Sequence, residues 1–141
     1  MGAQVSMEPE VKMDTRILKE AMAEFIEFAG TGGFVLIFSI GYNYGKLVIN
    51  KELPNDTLGV REVLQVVRKW SKVSVKTSRD GELLIVGSKD PFTVGFVCGC
   101  FSKVAEDFRV DYEDNRALVY LTLKEGVLRR SKVFSIFSFG L

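Results

Sequence analysis

Cys98 and Cys100 are the only thiols of the chain, and they sit two apart in the apolar run "TVGFVCGCFSKV". Cysteines this close can form a redox couple or supply two ligands to a metal. The run follows Asp90-Pro91, an acidic cap with proline in the first turn, where its missing N–H is harmless, so it reads as a helix. A helix turns each residue by about 100°, which sends side chains two apart to nearly opposite sides. The pair therefore cannot close on one ion. Histidine is absent and no third cysteine exists, so a tetrahedral site cannot be completed. Small buried thiols in a packed helix are the expectation, with no metal and no cofactor.

Other catalytic patterns fail on spacing. "GYNYGK" is not a P-loop and runs on into Leu47, while "GTGGFV" is not G-x-G-x-x-G and follows no strand. A G-x-S-x-G elbow is missing, as is the histidine that would serve it. The carboxylates fall on exposed helix faces or in turns such as Glu113 and Asp114, where solvation is their ordinary role. No catalytic residue is assigned, and an enzyme is not expected.

Glycine is the more informative residue. Gly95 and Gly99 lie four apart in the cysteine run, and Gly41 and Gly45 repeat that spacing in "GYNYG". An interior helical glycine costs about 1 kcal/mol against alanine, so each pair implies close backbone approach. The two strips predict tight helix packing, within one chain or across a dimer. Phe92, Phe96, Cys100 and Val104 form a neighbouring i, i+4 row suited to a core.

The elements that position these residues follow from periodicity. Asp14 or Thr15 can cap a helix with Leu18, Ala21, Met22, Phe25, Phe28 and Ala29 on one face, stopped at Gly30 and "GTGG". A second helix is predicted over about 34–52, ended by Pro54. Asp56 or Thr57 caps a third, whose face carries Val60, Val63, Leu64, Val67 and Trp70. The period then becomes two: "KVSVKTS" and "ELLIVG" form a hairpin about Asp80-Gly81. After the cysteine helix, "RVDY" and "ALVYLTL" form a second hairpin about "EDNR". The order helix-helix-helix-hairpin-helix-hairpin makes the fold class α+β, helices packed on one antiparallel sheet.

The chain has 141 residues, with 19 Lys+Arg against 18 Asp+Glu, enough for one core and without a basic footprint for nucleic acid. Residues 1–13 read as a loose arm, 14–125 as a single domain, and 126–141 as a basic-aromatic tail. That tail fits an added edge strand, a dimer contact or a membrane surface. Phe28 to Gly45 is uncharged, yet its four glycines before Tyr44 and its polar Thr31, Ser39 and Asn43 favour a buried helix over a membrane span. With no signal-like start and no disulfide framework, the cytoplasm is the expected compartment.

With these motifs placed, the chain resembles the superfamily that joins 4-vinyl reductase domains to the small subunits of the TRAPP vesicle-tethering complex. "IGYNYGKLVINKEL" is similar to the second helix of TRAPP subunits, with its Gly-Tyr-Asn-x-Gly core. "DPFTVGFVCGCFSKV" is similar to that family's later helix, and the likeness covers about residues 15–123. The resemblance implies a mixed α+β domain that pairs through its helices and binds small hydrophobic molecules or acts as an assembly scaffold. The residue matching the acylated cysteine of one TRAPP subunit is Thr57, so covalent acylation is not implied. The cysteine-bearing segment common in 4-vinyl reductase domains is here "VDYEDNRALVYL", without cysteine.

The resulting expectation is a homodimeric, non-enzymatic binding domain for a small hydrophobic ligand, the alternative being a protein-interaction scaffold with a filled core. Pairing through the first two helices would cover their apolar faces. Phe34, Phe38, Tyr42, Phe92, Phe96 and Phe101 are the candidate walls of an apolar cavity between helices and sheet, with Tyr42 as the orienting hydroxyl.

Overall fold

The computed structural model describes residues 11–54, 59–79 and 81–126. Among them the helices are α1 (Thr15–Ala29), α2 (Thr31–Glu52), α3 (Val60–Trp70) and α4 (Pro91–Cys100). The strands are β1 (Ser74–Arg79), β2 (Glu82–Gly87), β3 (Ala105–Tyr112) and β4 (Ala117–Leu123). The fold is α+β, with one open antiparallel sheet in the order β1-β2-β4-β3. Residues 1–10 and 127–141 of the expected arm and tail lie outside the described residues, as do Asp56, Thr57 and Asp80.

Helix starts follow local chemistry. Asp14 caps α1, its carboxylate accepting from Arg16 N–H at 2.8 Å and Ile17 N–H at 3.4 Å. Those bonds, the Arg16 N–H foremost, hold the carboxyl below its ordinary range. Asp90 caps α4 through Thr93 N–H at 2.9 Å, and Pro91 follows at the first helical position. The N-cap of α3 is Gly59, with no side-chain cap bond.

The second helix begins earlier than its pattern predicts. Thr31–Gly33 form its first turn, since Gly33 N–H and Phe34 N–H both donate to Gly30 O, at 3.0 and 3.2 Å. Gly30 alone makes the reversal, at φ +67°, which only glycine adopts freely. Gly33 lets α2 start tight against α1: a Cβ there would lie 3.0 Å from Ala29 Cβ. α1 itself buries no residue completely. Leu18, Met22 and Ile26 are its half-buried contacts, while Phe28, expected on the packed face, is 91% exposed.

α4 is buried on nearly every side, packing chiefly on α2 and touching α3 and β4. Ile49, Val63, Leu83, Ile85, Phe101 and Leu121 lie at the centre of the core. Burying an aliphatic or phenyl side chain of this size contributes about 1.5–3 kcal/mol. β4 alternates strictly, with Ala117, Val119, Leu121 and Leu123 buried. β3 starts four residues before "RVDY", with a register shift between Ala105 and Asp107 that its charged opening disguises. Val66 joins the buried face of α3, whereas Trp70, expected there, is 48% exposed.

Candidate functional site

The α2–α4 contact decides where every candidate side chain points. A Cβ on Gly41 would lie 2.9 Å from the carbonyl carbon of Phe92, and one on Gly45 2.9 Å from Cys100 N. Conversely, a Cβ on Gly95 would lie 3.0 Å from the Phe38 carbonyl carbon, and one on Gly99 2.8 Å from that of Tyr42. Both glycine strips thus meet each other within one chain, backbone against backbone. Larger residues beside the strips are forced to the two flanks of the contact.

On one flank α2 and β3 bring five rings together. Phe34, Phe38 and Tyr42 stand at successive i, i+4 positions of α2, and Phe108 and Tyr112 on one face of β3. Phe34 meets Tyr112 edge-on at 6.2 Å between centroids, and Phe38 and Tyr42 lie 6.4 and 6.3 Å from Phe108. Phe38 and Tyr42 stack at 6.3 Å, within the range of favourable ring pairs. One turn further, Lys46 Nζ lies 5.9 Å from the Tyr42 centroid. The row is open to solvent: Phe108 is 38% and Tyr112 48% exposed. Partial burial raises the Tyr112 phenol above its ordinary value, with the Cys98 thiol adding to the shift.

The other flank holds Phe92 and Phe96, which meet Tyr44 at 5.7 and 6.1 Å, and Tyr44 in turn meets Trp70 at 6.1 Å. The Trp70 indole N–H and Lys69 Nζ both donate to the Glu52 carboxylate, the lysine at 2.9 Å, tying the end of α2 to the end of α3. The Lys69 bond, then the Trp70 bond, lowers the Glu52 pKa. Phe101 has no exposed surface and belongs to the core.

The six aromatic residues proposed as walls of one cavity therefore occupy three places, because the glycine contact runs between the two rows. Phe34, Phe38 and Tyr42 are brought together; Phe92 and Phe96 lie across the contact. Phe108, Tyr112, Tyr44 and Trp70 join them unforeseen. Tyr112 had a legible signal, standing two residues from the half-buried Val110 on the same strand face. Phe108 fell outside the strand as predicted.

The thiols are packing groups. Cys98 and Cys100 are both buried and free. Burial pushes each up to about 12, with the neighbouring Cys98 and Glu52 adding to the shift at Cys100. Cys100 Sγ lies 3.7 Å from Gly45 O, which it meets as a weak donor. No group of three or more metal-ligating side chains occurs among the described residues.

A second apolar surface lies on the side of α2 away from α4. Leu36 and Ile40 are 53% and 54% exposed, and Val35, Leu47, Ile17 and Phe28 extend the exposed surface along α2 and α1. Among the described residues α2 is the one helix long and apolar enough to cross a membrane, and here it packs between α1 and α4. No family model matches the chain, and no curated protein or solved structure matches it either, so the likeness to 4-vinyl reductase and TRAPP domains rests on its motifs and element order.

Proposed function

We propose that the protein is a non-enzymatic, cytoplasmic binding domain for a small hydrophobic molecule and that it works as a homodimer. The observation that carries this reading is the open row of five rings between α2 and β3. Affinity would come from covering apolar surface, about 2.5 kcal/mol for each ~100 Å² removed from water. The Tyr42 hydroxyl and the Lys46 ammonium supply polar contacts at one end, which suits a ligand with a single polar or anionic group. This exposed ring row, and not an interior cavity, is the proposed ligand site. The exposed faces of α1 and α2 supply the dimer surface, of the kind that a likeness to TRAPP and 4-vinyl reductase domains implies.

A scaffold without a ligand is the second reading, and the observation that favours it is the packing of Phe96 and Phe101 in the core. Fluorescence titration with Nile red, a neutral apolar dye, separates the two. The binding reading expects saturable binding that weakens roughly tenfold in Phe38→Ala and Phe108→Ala, one lost ring contact each. Saturable binding that ignores both substitutions, or none at all, leaves the scaffold.

A further inference from the structure

We propose that the free edge of β3, with its exposed rings Phe108 and Tyr112, is the docking surface for the chain's own C-terminal segment, residues 127–141. The proposal shares the exposed ring row with the binding reading and names an intramolecular occupant for its β3 side.

β3 ends the sheet, and no strand lies on its outer side among the described residues. Six of its eight residues are exposed, among them Phe108 and Tyr112. An edge strand with exposed rings is a ready template for an added segment. Its exposed side chains begin with the acids Glu106 and Asp107 and continue with Phe108, the ion-paired Arg109 and Asp111, and Tyr112. Glu106 and Asp107 have no cation partner among the described residues, and Asp107 is held in place by accepting Phe108 N–H at 2.9 Å. Asp111, further along, pairs with Arg109 at 3.7 Å.

The C-terminal segment has the complementary order. It carries Arg129, Arg130 and Lys132 and no acid, followed by Val133, Phe134, Ile136, Phe137 and Phe139. Its point of departure is fixed beside the acids: Lys124 N–H donates to Val104 O at 2.9 Å, one residue before β3 begins. A segment leaving there meets Glu106 and Asp107 with its cations first, and then Phe108 and Tyr112 with its apolar residues. Reach is ample, since 15 residues extend to about 50 Å. The eight residues of β3 span only about 26 Å.

Hydrogen exchange read by mass spectrometry tests this on three proteins: the full chain, a chain ended at Gly126, and the full chain with Arg129→Glu, Arg130→Glu and Lys132→Glu. Amides of 105–112 should exchange roughly tenfold faster in both altered proteins than in the parent. The same rate in parent and charge-reversed protein overturns the proposal, and that variant gives the readout even if the shortened chain fails to fold. Protection that grows with protein concentration also overturns it, since the segment then docks on a second copy. Nile red distinguishes this from the binding reading: a shortened chain that binds no dye sinks the ligand, while a protected β3 edge in the parent still stands for the segment.

Discussion

At Gly99 a side chain as small as a methyl would press on the carbonyl of Tyr42, and Gly41, Gly45 and Gly95 are enclosed in the same way. Alanine normally improves a helix by up to about 1 kcal/mol over glycine. Here the sign should invert. Gly95→Ala and Gly99→Ala are expected to lower stability by about 1–3 kcal/mol in urea unfolding, because backbone must move to admit the Cβ. Gly32→Ala in α2 is the control, since nothing lies within 4 Å of its Cβ position, and it should be neutral or stabilising. The cysteines make a second residue-scale test. Their folded pKa of about 12 lies above the unfolded thiol value, so the neutral thiol is the form the fold favours. That contribution is complete below an unfolded pKa of ~8.5 and is lost as pH rises toward the folded value. The urea midpoint should fall between pH 7 and pH 10.5, and fall less when both thiols are replaced by alanine. An equal fall would show that the thiols do not cause the loss. The glycine spacing was legible as close packing, but which helix filled each strip was not, because four-residue spacing names a contact and not its partner.

Among the elements, α4 is the most fully specified by local sequence. Its Asp90 cap and Pro91 start fix where it begins, and Asp90→Ala should cost about 1 kcal/mol through the lost bond to Thr93 N–H, measurable as a lowered urea midpoint. An unchanged midpoint would mean that core packing alone positions the helix. The caps at Asp14 and Asp90 and the period-two hairpins were readable because each is a short-range device. Other boundaries were not. Thr31–Gly33 looked like a loop, since three glycines in four residues suggest a break, yet only Gly30 adopts the left-handed backbone. The start of β3 was hidden by "AEDF", whose charges interrupt any alternation. Trp70 carries the helical spacing of a core residue, but it stands at the last position of α3, where its indole reaches Glu52 instead. The candidate site was half legible for a related reason. The rows Phe34–Phe38–Tyr42 and Phe92–Phe96 follow from i, i+4 spacing, whereas their separation depends on how closely α2 and α4 approach.

For the molecule as a whole, the balance of charge and exposed apolar surface argues for association. A net charge of +1 gives little electrostatic protection against self-contact, and α1 and α2 carry most of the large apolar side chains exposed to solvent among the described residues. Leu36→Glu with Ile40→Glu should convert a dimer to a monomer by light scattering while far-UV circular dichroism keeps the parent's helical signal, since neither side chain supports the core of one chain. A parent protein that is already monomeric at micromolar concentration would contradict the dimer. Association and an apolar ligand belong together in the proposed function, and native mass spectrometry of the full chain reads both at once. The expected result is the mass of two chains plus additional mass that disappears after extraction with organic solvent. The mass of one bare chain, unchanged by extraction, would contradict it.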